Sequence, residues 1–105
     1  MNFSKKEFEF IADEFTQMFD GVTRGKMMHS PGIKSNDKVF AFYHEEAMIF
    51  KLGKRTDSFL TQYPESSYLN PFKQKPPMKG WLVVPSKYAG HWRTLAKEAL
   101  ATVPH

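Results

Sequence analysis

The sequence predicts an α+β domain in two layers: one antiparallel sheet of about five strands with helices on one face, in the order α-β-β-β-β-α-β-α. Three observations carry this expectation. Apolar residues recur at the helical period near both ends of the chain. Between residues 22 and 52, short segments rich in Val, Ile, Phe and Tyr are separated by turn residues, the pattern of sequential hairpin strands. After a short helix, one more strand returns from a proline-rich loop, and that order favours α+β over an alternating α/β arrangement.

The first helix follows from Phe8, Ile11, Phe15, Met18 and Phe19, which make one apolar stripe. Ser4 and Glu7 have capping-box spacing ahead of it, and Asp20-Gly21 ends it, glycine suiting the left-handed residue after a helix. A first strand is expected from Val22 to His29, broken by Ser30-Pro31-Gly32. A short second strand begins at Ile33-Lys34. Ser35-Asn36-Asp37 reads as a hairpin turn, because Asn and Asp tolerate the required backbone angles. Lys38 to His44 is a third strand with aromatic residues on both faces, and so expected to be covered on one side and partly on the other. His44-Glu45-Glu46 turns the chain into a fourth strand, Ala47 to Leu52.

A short helix is expected from Thr56 to Tyr63, with Thr56 or Asp57 as cap and Pro64 closing it. Residues 64–77 read as a loop with four prolines, tacked to the body by Tyr68, Leu69 and Phe72. A fifth strand runs from Gly80 to Val84. Pro85-Ser86 starts the last helix, whose stripe is Trp92, Leu95, Ala96, Ala99, Leu100 and Val103.

Length and composition bound the function. The 105 residues suit a single domain over residues 1–105. The chain is 41% hydrophobic, with ten Phe, which supplies a core and excludes global disorder. It has no cysteine, which excludes disulfides, thiolate nucleophiles and Cys-based metal clusters. No apolar run approaches the ~20 residues of a membrane span, and the N-terminus lacks a signal-peptide core. A cytoplasmic protein without membrane contact is expected.

The net charge of +4 is uneven. Residues 1–20 hold two basic and five acidic side chains, and the remaining residues hold thirteen basic and six acidic. Such asymmetry suits an anionic partner. The candidate contacts to an anion or nucleic acid are Lys51, Lys54, Arg55, Lys73, Lys75 and Lys79. Tyr43, Tyr68, Phe72 and Trp81 are interleaved with them, and aromatics beside cations suit single strands. Trp81 nevertheless centres an apolar strand and Trp92 falls on a helix stripe, so both are expected in the core. Scattered lysines without a basic recognition helix predict weak binding.

No catalytic, metal or cofactor-binding set is expected. His29, His44, His91 and His105 lack metal-ligand spacing. Glu45 and Glu46 are adjacent in a turn, so their side chains diverge and read as a solvated hairpin tip. No nucleophile elbow, phosphate loop or dinucleotide fingerprint is present.

The segment Met78-Lys79-Gly80-Trp81-Leu82-Val83-Val84-Pro85, followed by a helix with Leu95, Ala99 and Leu100, resembles the "PMKGW" strand and closing helix of the TfoX/Sxy N-terminal domain. Lys26-Met27-Met28-His29 to Gly32-Ile33, then Asp37-Lys38-Val39-Phe40-Ala41, resembles that family's "KMFGG-x-GF…GKMFA" meander. Met48-Ile49-Phe50-Lys51-Leu52 is similar to its "LYLKV" strand. The chain departs from the pattern at Met28-His29-Ser30, where the family has Phe-Gly-Gly, and the helix-hairpin-helix domain of the larger regulators has no counterpart within these 105 residues. The resemblance implies a non-enzymatic, stand-alone TfoX-like domain, regulatory in character and linked to transcription or competence. A protein partner or a homodimer joined through a sheet edge is the expected interaction, and a weak nucleic-acid-binding domain is the alternative.

Overall fold

The computed structural model describes residues 3–70 and 74–103, and among them the chain forms three α-helices and a six-stranded antiparallel sheet. The order is α1 (Phe3–Met18), β1 (Val22–Met27), β2 (Ser30–Ser35), β3 (Lys38–His44), β4 (Ala47–Lys51), α2 (Thr56–Gln62), β5 (Ser67–Leu69), β6 (Met78–Pro85) and α3 (Trp92–Ala101). Single 3-10 stretches, Gly53–Arg55 and Ser86–His91, lead into α2 and α3. Across the sheet the strands lie β1-β2-β3-β4-β6-β5. The α+β class and the hairpin meander agree with expectation. The sixth strand, β5, lies inside the segment read as a loop. Three residues are too few to show a period of two, and Pro64 and Pro71 on either side mask them further.

The helices share one face of the sheet. Here α1 packs on β1 and β2, α3 on β3 and β4, and α2 on β6. Phe8, Ile11 and Phe15 from α1 meet Phe40, Met48, Phe50, Leu82 and Val84 from the sheet and Trp92, Leu95 and Ala99 from α3. Trp92 is fully buried, and its indole N–H donates to the Val84 carbonyl at 3.2 Å. That bond satisfies the one polar atom a core tryptophan brings with it. The acidic N-terminal helix is neutralised within the molecule. Arg24 reaches Glu9 at 3.0 Å and Asp13 at 2.6 Å, and Arg93 reaches Glu14 at 2.6 Å. The hydrogen bond to Asp13, opposed in part by desolvation, raises the Arg24 pKa above its ordinary value.

Several local expectations are corrected. Ser4 lies within α1 and is buried, and its hydroxyl meets the Tyr43 hydroxyl at 2.6 Å instead of capping the helix. Met18 is exposed, because the core stripe of α1 ends at Phe15 and Phe19. Thr56 does not cap α2; its hydroxyl donates to the Gly53 carbonyl at 2.7 Å. Ser30-Pro31-Gly32 does not break the meander but belongs to β2, paired with β1 through Met27↔Ser30, Lys26↔Pro31 and Gly25↔Gly32. The break is Met28-His29, with φ of 51° and 68°. Left-handed backbone there carries neither Gly nor Asn, so turn chemistry pointed to the neighbouring Pro-Gly instead. In β3 the register slips, Ile33 facing Ala41 and Lys34 facing Val39. The extra residue lets both Phe40 and Ala41 join the helix-side core and sends Phe42 to the other face.

Candidate binding face

The face of the sheet turned away from the helices carries a second apolar cluster. Phe42, Ile49, Leu69 and Trp81 are buried there, with Met27, Val39, Met78 and Val83 packed against them. Register explains the set. Phe42 faces Ile49, Ile49 faces Val83, and Lys51 faces Trp81, so these side chains form rows across β3, β4 and β6 on one face. Trp81 was expected in the core. It is buried, at 8% exposure, but in this outer cluster, edge-on to Phe42 with ring centroids 5.7 Å apart.

At one end the outer face opens into a cleft of about 530 Å³. Phe42, Ala47, Ile49 and Val83 form its floor. Ser67, Tyr68, Leu69 and Asn70, from β5 and the residue after it, make one side. Met28, Ser30, His44 and Glu45 make the other, supplied by the two hairpin turns at that end of the sheet. This volume lies in the range of small-ligand or side-chain pockets.

The polar groups of this rim are linked. Ser30 Oγ lies 2.9 Å from His44 Nδ1, and His44 Nε2 lies 3.5 Å from Glu45 Oε1. With the serine hydroxyl donating to Nδ1, the ring proton sits on Nε2 and faces the carboxylate. Ser30 is buried, so this bond satisfies a hydroxyl that the cleft floor would leave unpaired. Tyr68 pairs with Leu82 of the helix-side core and its hydroxyl is turned that way, donating to Asp57 of α2, which raises the Tyr68 pKa above its ordinary value. Glu45 and Glu46 both have positive φ, as Met28 and His29 do. The turn at the far end of the β2–β3 hairpin uses Asn36 and Asp37, residues suited to that backbone.

The six sequence-predicted contacts divide. Lys51 stands opposite Trp81 on the outer face. Leu52 N–H donates to the Gly80 carbonyl at 2.9 Å, which brings Lys54 and Lys79 to the same end of the sheet. Among the described residues these three lysines have no carboxylate partner. Arg55 is engaged: it pairs with Glu98 of α3 and lies 5.1 Å over the Phe59 ring. Lys75 is exposed in the loop before β6. Lys73 lies outside the described residues, as do Phe72 and His105. Among the described residues no exposed aromatic ring is free to serve this group as a stacking platform. Trp81 and Tyr43 are buried and Tyr68 is held by Asp57.

Sequence reasoning missed the cleft and one further surface. Phe3 and Phe10 on α1 are 73% and 64% exposed. They stand seven residues apart and off the core stripe, and that spacing was the available signal. Ser30 and His44 are fourteen residues apart, and only the β2–β3 register brings them together. Among the described residues no three His, Asp or Glu side chains converge as metal ligands, and no helix is long and apolar enough to cross a membrane. No protein-family model matches the chain, and no curated protein or solved structure matches it.

Proposed function

We propose that this chain is a non-catalytic interaction module that holds a partner protein on the outer face of its sheet. The observation that carries the reading is the second apolar cluster, which meets a cleft where Val83 is half-buried and Met28 is exposed. Concave apolar surface with a few convergent polar groups is what binding sites use. The regulatory character, the link to transcription or competence and the cytoplasmic setting belong to the same proposal. They rest on the TfoX/Sxy resemblance and the cysteine-free composition. In-cell photo-crosslinking tests the interaction. A benzoylphenylalanine at Met28, at the cleft mouth, should give a discrete adduct that Val83→Glu abolishes, whereas one at Thr94, on the exposed side of α3, should not. Equal labelling from both positions, or none from either, removes the reading.

Weak nucleic-acid binding is the second reading, and the gathering of Lys51, Lys54 and Lys79 at one end of the sheet favours it. Three phosphate contacts predict a logarithmic salt slope of about −2.7, a loss of roughly 40-fold in affinity for duplex DNA between 50 and 200 mM salt. No retention on nucleic acid at low salt eliminates it.

A further inference from the structure

Resting on the proposed function, we infer the chemistry of the segment that the cleft takes. It is a stretch of a partner protein with one bulky apolar side chain flanked by lysine or arginine. The apolar part follows from the floor. Phe42 and Ile49 are buried beneath it, and the half-buried Val83 and the 43%-exposed Met28 present the apolar surface that an incoming side chain meets. The basic part follows from charge placement. The chain holds fifteen Lys and Arg, yet none is among the described residues that line the cleft. The charged group at the mouth is Glu45, with Glu46 beside it in the same turn. Lys51 lies at the far end of β4, and Arg24 and Arg93 are paired with α1 on the other side of the sheet. Among the described residues, then, the lining carries one carboxylate and no Lys or Arg. A like-charged segment is repelled there and a basic one is drawn in.

Ser30 and His44 add direction. Their bond holds the imidazole at the rim, with Nε2 3.5 Å from the exposed Glu45 carboxylate. A flanking ammonium or guanidinium then meets an acceptor at one end of the floor. Ser67 and Asn70 remain at the other end for the backbone of the segment. The contribution of exposed carboxylates is modest, so the preference is one of selectivity more than of raw affinity.

Three synthetic peptides test this. All are acetylated and amidated and share a central Phe in an Ala-Ser frame, and the residues on either side are Lys, Gln or Glu. Each is titrated into the ¹⁵N-labelled chain, and the amides of Ala47, Ile49 and Val83 are followed. At low salt the Lys peptide should bind these positions roughly threefold more tightly than the Gln peptide, as expected of one exposed charge pair. The Glu peptide should bind weakest. Glu45→Gln with Glu46→Gln should remove the difference between the Lys, Gln and Glu peptides. Equal binding of all three at the cleft overturns the basic preference and leaves the interaction module standing. Shifts confined to the helix side, or none with any peptide, overturn the inference and leave the module to the crosslinking result.

Discussion

At the scale of the residue, two glycines facing each other across β1 and β2 make a sharp contrast. A methyl group on Gly32 would lie 2.6 Å from the Ala41 carbonyl oxygen and 2.8 Å from Phe42 Cβ, both held by the sheet. One on Gly25 would lie 3.0 Å from Cδ of Lys34, a side chain free to swing away. Gly32→Ala should therefore cost about 1–3 kcal/mol through overpacking, while Gly25→Ala should cost much less. Urea denaturation of both variants decides this, and equal losses would contradict the close approach at Gly32. Tyr68 offers a second residue-level prediction. Its phenol donates to Asp57, and that bond favours the protonated form. The phenol should titrate above its usual value of about 10, and Asp57→Asn should bring it down, as read by phenolate absorbance. The sign for stability follows. A raised pKa means the folded state holds this proton more firmly than the unfolded chain. The contribution is thus complete below pH ~10 and is lost as the pH climbs through the folded value. Burial acts in the same direction on Tyr63.

At the scale of the element, the hairpin turns differ in a way their residues reveal. Asn36-Asp37 suits left-handed backbone, whereas Met28-His29 and Glu45-Glu46 adopt it at a cost. Replacing either strained pair with Asn-Gly should raise stability by about 1 kcal/mol, seen as a higher urea midpoint at unchanged slope. The Glu45-Glu46 replacement should at the same time weaken binding of the basic peptide. The strain thus falls on the two turns that supply Met28 and Glu45 to the cleft. These turns also mark where the sequence could be read and where it could not. The strand β6 was legible because an apolar run is bounded by prolines at both ends. The turn at Met28-His29 was not, because its residues carry no turn signal and the neighbouring Pro31-Gly32 carries a strong one. The strand β5 was too short to show a period. The alternation of Trp81 and Val83 with Leu82 and Val84 separates two faces of β6, but no local pattern says which face the helices cover. The cleft depends on that choice and on the β2–β3 register, so it stayed hidden. Lys51, Lys54 and Lys79 could be named from the sequence, while their meeting at one end of the sheet depended on β4 pairing with β6.

At the scale of the whole molecule, the sheet is a partition with an apolar cluster on each side, and its central strands serve both. Strand β3 sends Phe40 to the helices and Phe42 outward, β4 sends Phe50 and Ile49, and β6 sends Leu82 and Trp81. Each side also holds one of the chain's two tryptophans, Trp92 towards the helices and Trp81 away from them. The molecule is in effect labelled with one intrinsic fluorophore per compartment. Trp81→Phe leaves emission from the helix side alone, and Trp92→Phe leaves emission from the outer cluster alone. Within each variant, unfolding followed by fluorescence should coincide with unfolding followed by far-ultraviolet dichroism, since neither compartment can dissolve without the strands of the other. An earlier fluorescence transition in Trp92→Phe would instead mean that the outer compartment loosens while the helices stay docked. The same variant then becomes a fluorescent gauge of ligand capture, because the remaining indole lies in the cluster that floors the cleft.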